Sequence, residues 1–116
     1  MAKNNLLRHF FGGFVRLHLL HHASIEAICG VEMMEELQRH GYRLGPGTMY
    51  PILHELCEGG YLRVSEEVRN GRRRKNYRIT KKGDRLLVDA QHKLRELVDE
   101  VLPKKKPTKS STSRRK

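Results

Sequence analysis

The sequence predicts a mainly α-helical fold carrying one small antiparallel β-hairpin, and three observations predict it. Between Leu44 and Leu62, the residues Met49, Ile52, Leu53 and Leu56 recur at the i, i+3, i+4, i+7 spacing of one buried helical face. Downstream the period falls to two, and Asn70-Gly71 joins two alternating runs as a strong hairpin signal, because both residue types tolerate positive φ. Toward the end, Leu87, Ala90, Leu94, Leu97 and Val101 repeat at the spacing of a heptad seam.

At 116 residues the chain supports one domain with a modest core. Its formal charge of +11 is unevenly spread. Pro103 to Lys116 holds seven Lys or Arg and no acid, and Arg69 to Gly83 holds eight, again with no acid. Two basic blocks on a nearly balanced body point to a polyanionic partner. Nucleic acid leads; a membrane surface comes second, since neither block lies on an amphipathic helix with a Trp or Phe face. Only Cys29 and Cys57 occur, which suits a reducing cytosol and inert thiols. Phe10 to Leu20 is interrupted by Gly12, Gly13, Arg16 and His18, so no secretory leader is read, and no apolar run approaches a membrane span. The expectation is a soluble, cytoplasmic protein. Paired carboxylates, a nucleophile elbow and a phosphate-cradling loop are all missing from the sequence, so neither an enzyme nor a cofactor is expected. His18 and His22 share a helical face, but no third ligand follows at readable spacing; they are taken as surface or interface histidines, not a metal site.

Taken in order, Leu6 to His22 reads as a helix whose apolar residues wrap more than one face, as in a helix buried on two sides. Gly12 and Gly13 inside it mark either a close helix–helix approach or the true helix start. Ala23 to Cys29 is a connection, and Gly30 opens a second helix, Val31 to His40, with Met33, Met34 and Leu37 inward. Gly41 ends it, and Gly45, Pro46 and Gly47 punctuate the turn. Thr48 is read as the N-cap of the next helix, Pro51 as a first-turn residue, and Gly59-Gly60 as its stop. Thr48, Tyr50, His54 and Glu55 remain on its outward face. Leu62, Val64 and Val68 then alternate with Arg63, Ser65 and Glu67 as a half-buried strand, answered by Lys75 to Thr80. Arg69, Arg72, Arg73 and Arg74 flank the hairpin tip, a composition suited to phosphate oxygens and a narrow minor groove. Thr80 caps a last helix running to about Leu102. That helix packs on the first helix of its own chain or joins it across a two-fold axis, and the excess apolar surface of the first helix favours the second arrangement. Pro103 to Lys116 has no large apolar residue and is expected to be disordered; a nuclear signal, a solubilising tail and a nucleic-acid arm all fit, the arm best.

Helix, helix, turn, helix, basic hairpin, helix is the winged helix-turn-helix order. Gly47-Thr48-Met49-Tyr50-Pro51-Ile52-Leu53-His54-Glu55-Leu56, followed by Gly60-Tyr61-Leu62, resembles the Gly-Thr-Leu-Tyr-Pro signature of the PadR family of prokaryotic transcriptional regulators. Gly71 and Arg74 to Gly83 look like that family's wing. Met49 for Leu and Asn76 for an aromatic depart from the pattern without threatening the fold. The resemblance covers roughly residues 6–100 and implies a homodimeric DNA-binding regulator, most often a repressor. It also implies dimer contacts from the first and last helices and, in many members, release by a small hydrophobic effector.

The expected organisation is therefore a winged helix-turn-helix domain over 1–80, a C-terminal dimerisation helix over 81–102 and a disordered basic tail over 103–116. Double-stranded DNA is the expected partner. Thr48, Tyr50 and His54 would meet the major groove or its flanking phosphates, while Arg72, Arg73, Arg74 and Lys75 supply the charge of the wing. Phe10, Phe14, Leu87, Leu94, Leu97 and Val101 would form the dimer interface. The competing expectation is a nucleoid-associated or RNA-binding protein in which charge matters and sequence does not.

Overall fold

A computed structural model describes residues 2–103 of the chain, with side chains from residue 6 onward. Its elements run α1 (Ala2–Ile25), α2 (Gly30–Arg39), α3 (Pro46–Glu58), β1 (Leu62–Arg69), β2 (Arg72–Ile79) and α4 (Lys81–Val101). Mainly helical with a single two-stranded antiparallel hairpin, this is the predicted fold class. The expectation of a disordered tail falls on residues 104–116, outside the described residues.

The core forms where α1, α2 and α3 meet. Leu19, Leu37, Met49 and Leu53 are fully buried at its centre, and Val15, Ile28, Met33, Leu56, Leu62, Tyr77 and Leu87 pack around them. The helical spacing of α3 is realised as read: Met49, Ile52, Leu53 and Leu56 are its buried residues. On α2, Met33 and Leu37 are buried while Met34 is only half-buried.

Several boundaries differ, each for a local reason. α1 continues past His22 to Ile25 and runs straight through Gly12 and Gly13, so the glycine pair does not start the helix. Nor does it mark a close helix–helix approach within the chain: a Cβ on Gly13 would meet nothing within 4 Å, and one on Gly12 would meet only the Arg16 guanidinium of the same helix, at 3.1 Å. α3 begins earlier than expected: Gly45 is its N-cap and Pro46 occupies the first turn, where a missing N–H breaks no bond. Thr48 therefore stands inside the helix, its own N–H donating to the Gly45 carbonyl at 3.1 Å. Pro51 falls one turn further in, not in the first turn as expected, and lacks the N–H that would otherwise meet the Gly47 carbonyl. The end of α3 is as predicted. The Tyr61 N–H reaches the Leu56 carbonyl at 2.9 Å and the Gly60 N–H reaches Cys57 at 3.0 Å, with Gly60 at φ +83°, a Schellman cap.

The hairpin pairs Leu62 with Ile79, Val64 with Tyr77 and Arg69 with Arg72, and both turn residues have positive φ, Asn70 at 54° and Gly71 at 75°. That is the type I′ turn which the Asn-Gly pair specifies. β2 starts at Arg72, three residues before the expected Lys75. The half-buried face of β1 is not realised either: Leu62 is buried, but Val64 and Val68 are exposed. Beyond its root the hairpin stands clear of the core, so alternation carries no burial there.

The root itself is firmly tied. Ile28 and Tyr77 exchange backbone hydrogen bonds of 2.9 and 2.8 Å, fixing β2 to the α1–α2 connection. Thr80 caps α4 as predicted, its hydroxyl oxygen accepting from Gly83 N–H at 3.0 Å. The same hydroxyl donates to the Gly60 carbonyl at 2.6 Å, and Lys82 reaches the Gly59 carbonyl at 2.8 Å, locking the end of α3 to the start of α4.

Candidate nucleic-acid interface

The exposed end of α3 is arranged by what lies beneath it. Tyr50 is 38 % exposed, with its ring laid over Gly30 at the start of α2. A Cβ at Gly30 would fall 2.6 Å from the phenol carbon and oxygen, so only glycine admits the ring there. The ring thus packs on one side and faces solvent on the other. Thr48 and His54 are exposed, and His54 Nε2 lies 3.6 Å from Glu58 one turn on. Glu55 behaves differently from its neighbours. Arg16 on α1 grips it with two hydrogen bonds, 2.7 and 3.0 Å, and also donates to the Gly12 carbonyl at 2.9 Å. That hydrogen bond holds the Glu55 carboxyl below its usual range and raises the Arg16 guanidinium. Glu55 is accordingly a helix-to-helix clamp.

Charge on the wing is equally uneven. Arg69 lies 2.8 Å from Glu67 and Arg73 lies 3.3 Å from Glu66, both pairs within the hairpin. Arg74 leaves the hairpin to meet Glu32 of α2 at 2.6 Å; this hydrogen bond lowers the Glu32 carboxyl and raises the Arg74 guanidinium. Arg72 and Lys75 have no ion pair among the described residues. Between the wing and the start of α2 lies an open cleft of about 1020 Å³, floored by Gly30 and by Tyr50 of α3 and walled by Arg72, Arg73, Arg74 and Lys75. The structure therefore brings Tyr50 and the four expected wing residues around one cleft; His54 lies one turn further along α3, whereas Thr48 lies on another side of the helix, lining a separate hollow with Leu7, Phe11 and Val15 of α1.

Away from this face, Phe10 and Phe14 of α1 and Leu94, Leu97 and Val101 of α4 are exposed, while Leu87 is buried against its own chain. Phe14, Leu17, His18, His21, Tyr42, Leu87, Gln91 and Leu94 line an open hollow of about 340 Å³ between α1 and α4. Beside it His18 stacks on His40 at 4.8 Å between ring centres, and Glu36 approaches His40 at 3.2 Å and His22 at 3.7 Å. No group of three or more ligands able to hold a metal occurs among the described residues. Cys29 is buried, and burial pushes the Cys57 thiol up. No helix among the described residues is long and apolar enough to cross a membrane.

Sequence reasoning missed Glu32, Arg16 and the close fit of Gly30 under Tyr50. The partners are 42, 39 and 20 positions apart, and no periodic signal links such pairs. Only the uneven burial of the wing arginines separates one tethered cation from its exposed neighbours.

A recognition helix packed behind a second helix, with a polar outer end and a basic hairpin beside it, defines a winged helix-turn-helix DNA-binding regulator. The comparisons agree. Residues 19–89 match the transcriptional regulator PadR-like family, and the chain belongs to that family. Over 96 residues it is 45 % identical to Transcriptional regulator Rv3488 of Mycobacterium tuberculosis, spanning 83 % of this chain and 90 % of that protein. A shorter stretch of 52 residues is 40 % identical to Transcriptional activator GvpE2 of Halobacterium salinarum, 44 % of this chain and 25 % of that one. The fold matches the crystal structure of a PadR family transcriptional regulator from Eggerthella lenta with a TM-score of 0.73 at 23 % identity, covering 84 % of this chain and 87 % of that one.

Proposed function

We propose that the chain is a repressor that binds a near-palindromic operator as a homodimer and is released by a small hydrophobic effector. The observation carrying this reading is the open cleft that Tyr50 of α3 shares with the basic wing. Thr48, Tyr50 and His54 enter the major groove or contact its edges, while Arg72, Arg73 and Lys75 meet flanking phosphates. Arg74, hydrogen-bonded to Glu32 of α2, is not among these contacts. The dimer is supported by the exposed Phe10, Phe14, Leu94, Leu97 and Val101, with Leu87 at the inner margin of that face, anchoring α4 to its own core. The hollow beside Phe14 and Leu94 has the size and apolar lining of a small-molecule site, which supports an effector.

A footprint on the DNA upstream of its own coding sequence tests the reading. Two protected half-sites about 34 Å apart are expected, with affinity falling steeply in salt, by about 0.9 log units per log unit of salt for each phosphate contact. Equal affinity for that duplex, random duplex and structured RNA would establish the nonspecific alternative instead. A reporter that rises when the chain is removed marks repression; a fall marks an activator, as the haloarchaeal relative is named.

A further inference from the structure

We infer that Glu32 positions the wing and that Arg74 acts through it, not as a phosphate contact; the functional consequence rests on the DNA-reading role proposed above. Arg74 Nη2 lies 2.6 Å from Glu32 Oε2, joining the hairpin to α2. The Arg74 side chain is 29 % exposed, whereas that of Arg73, its neighbour on the same strand, is 82 % exposed. Among the described residues, this is the only side-chain hydrogen bond or ion pair between the outer wing and the body. The pairs at Arg73 and Arg69 stay inside the hairpin, and Thr80 and Lys82 anchor only its root.

Among the described residues, no other side-chain hydrogen bond or ion pair to the body holds the wing at that height. The backbone bridge at Ile28 and Tyr77 ends about 10 Å short of Arg74, three residues along an extended strand. Val68, one rung nearer the tip, is 71 % exposed, so what packing exists at this height falls on the Arg74 side chain itself, whose Nε is buried. At the tip Arg69 stands opposite Arg72, a like-charge pair that does nothing to stiffen the turn. Without the Glu32 tether the hairpin pivots on its root, and the distance from wing to Tyr50 is no longer set. Phosphate contacts fix the register of a protein on duplex DNA, so a wing of variable angle loses register first. Moving Arg74 to a phosphate would also leave the Glu32 carboxylate unpaired and facing a polyanion. Arg72 and Lys75 make the same contact without that cost.

The test compares the wild-type chain with Glu32→Gln, Arg74→Gln, the charge swap Glu32→Arg with Arg74→Glu, and Arg72→Gln as a contact control. The DNA probe is a duplex selected from a random pool by the wild-type chain, titrated over a range of salt; hydrogen exchange of the wing amides is followed in the free protein. Both single variants at the tether should exchange their wing amides about fivefold faster and bind the selected duplex about fivefold more weakly, with the salt slope unchanged. The swap should restore both readouts. Arg72→Gln should instead lower the salt slope by about 0.9 and leave exchange as it was. A lowered slope for Arg74→Gln, with Glu32→Gln binding as well as or better than wild type, overturns the inference. So does a swap as loose as either single variant. If the wild-type chain selects no duplex, the DNA-reading role fails separately, and exchange alone decides whether Glu32 holds the wing.

Discussion

Gly30 and Gly83 each leave no room for a side chain, but what stands in the way differs. At Gly30 the obstacle is the Tyr50 ring, the far end of a side chain that can swing aside. Gly30→Ala should therefore keep the melting temperature within a few degrees of wild type, alanine being the better helix former by about 1 kcal/mol, while displacing Tyr50 and weakening DNA binding. Thermal melting and a duplex titration on the same preparation check both halves. At Gly83 the added carbon would fall 2.1 Å from the Tyr61 carbonyl oxygen, which is backbone. Gly83→Ala should cost about 3 kcal/mol, seen as a lower urea midpoint at constant m-value. Gly83 was legible only as part of a wing motif. Its reason, a carbonyl arriving from the far end of α3, depends on chain reversal through the whole hairpin and leaves no trace in local sequence.

Among the elements, α3 was the most legible, because four apolar residues at helical spacing leave one way to bury them. Its start was misread. Thr48 has the chemistry of a cap, but Pro46 fixes a helical φ two residues earlier and takes the first turn. The hairpin shows the opposite balance: its turn was legible from Asn70-Gly71, whereas its burial was not. Alternation reports which residues share a face, and only the neighbouring elements decide whether that face is covered. Leu62→Ala should therefore cost about 3 kcal/mol, as for a buried leucine. Val68→Thr should stay within about 0.5 kcal/mol, as for a surface site. Denaturant midpoints for the two variants give the comparison, and equal losses would mean the outer wing is packed after all.

At the scale of the molecule, two predictions concern its charge and its partner. His18 sits among His21 and His22 of α1, His40 and Glu36 at the end of α2, and the Tyr42 ring. Burial, chiefly, and the neighbouring imidazoles lower its proton affinity, and burial lowers that of His22. The sign follows. Above the ordinary histidine range, near 6.5, neither folded nor unfolded chain carries these protons. Below it the unfolded chain takes them up first, so stability falls with pH until the folded histidines also titrate. The urea midpoint should decline from pH 7 toward pH 5, and His18→Gln should flatten part of that slope. Helical spacing placed His18 and His22 on one face, but His40 joins them only through the α1–α2 packing. The apolar excess of α1 and α4 was legible in the same limited way: sequence located the surface without naming its cover. On the proposed reading, the measured mass in dilute solution should be that of two chains.

The narrow outer face of α3 has a consequence for how much a site can say to this protein. On the proposed reading, with Glu55 clamped by Arg16, Thr48, Tyr50 and His54 are the side chains left to discriminate bases, enough for only a few steps of duplex. Such an alphabet is too short to single out one locus in a genome. In a two-fold assembly the missing information lies in helical phase, since both readers must find their letters on the same side of the duplex. Inserting about 5 base pairs between half-sites turns one of them to the opposite side and should abolish binding, while about 10 should recover much of it. Gel shifts on three duplexes of identical half-site sequence would separate a protein that reads letters from one that measures where they fall.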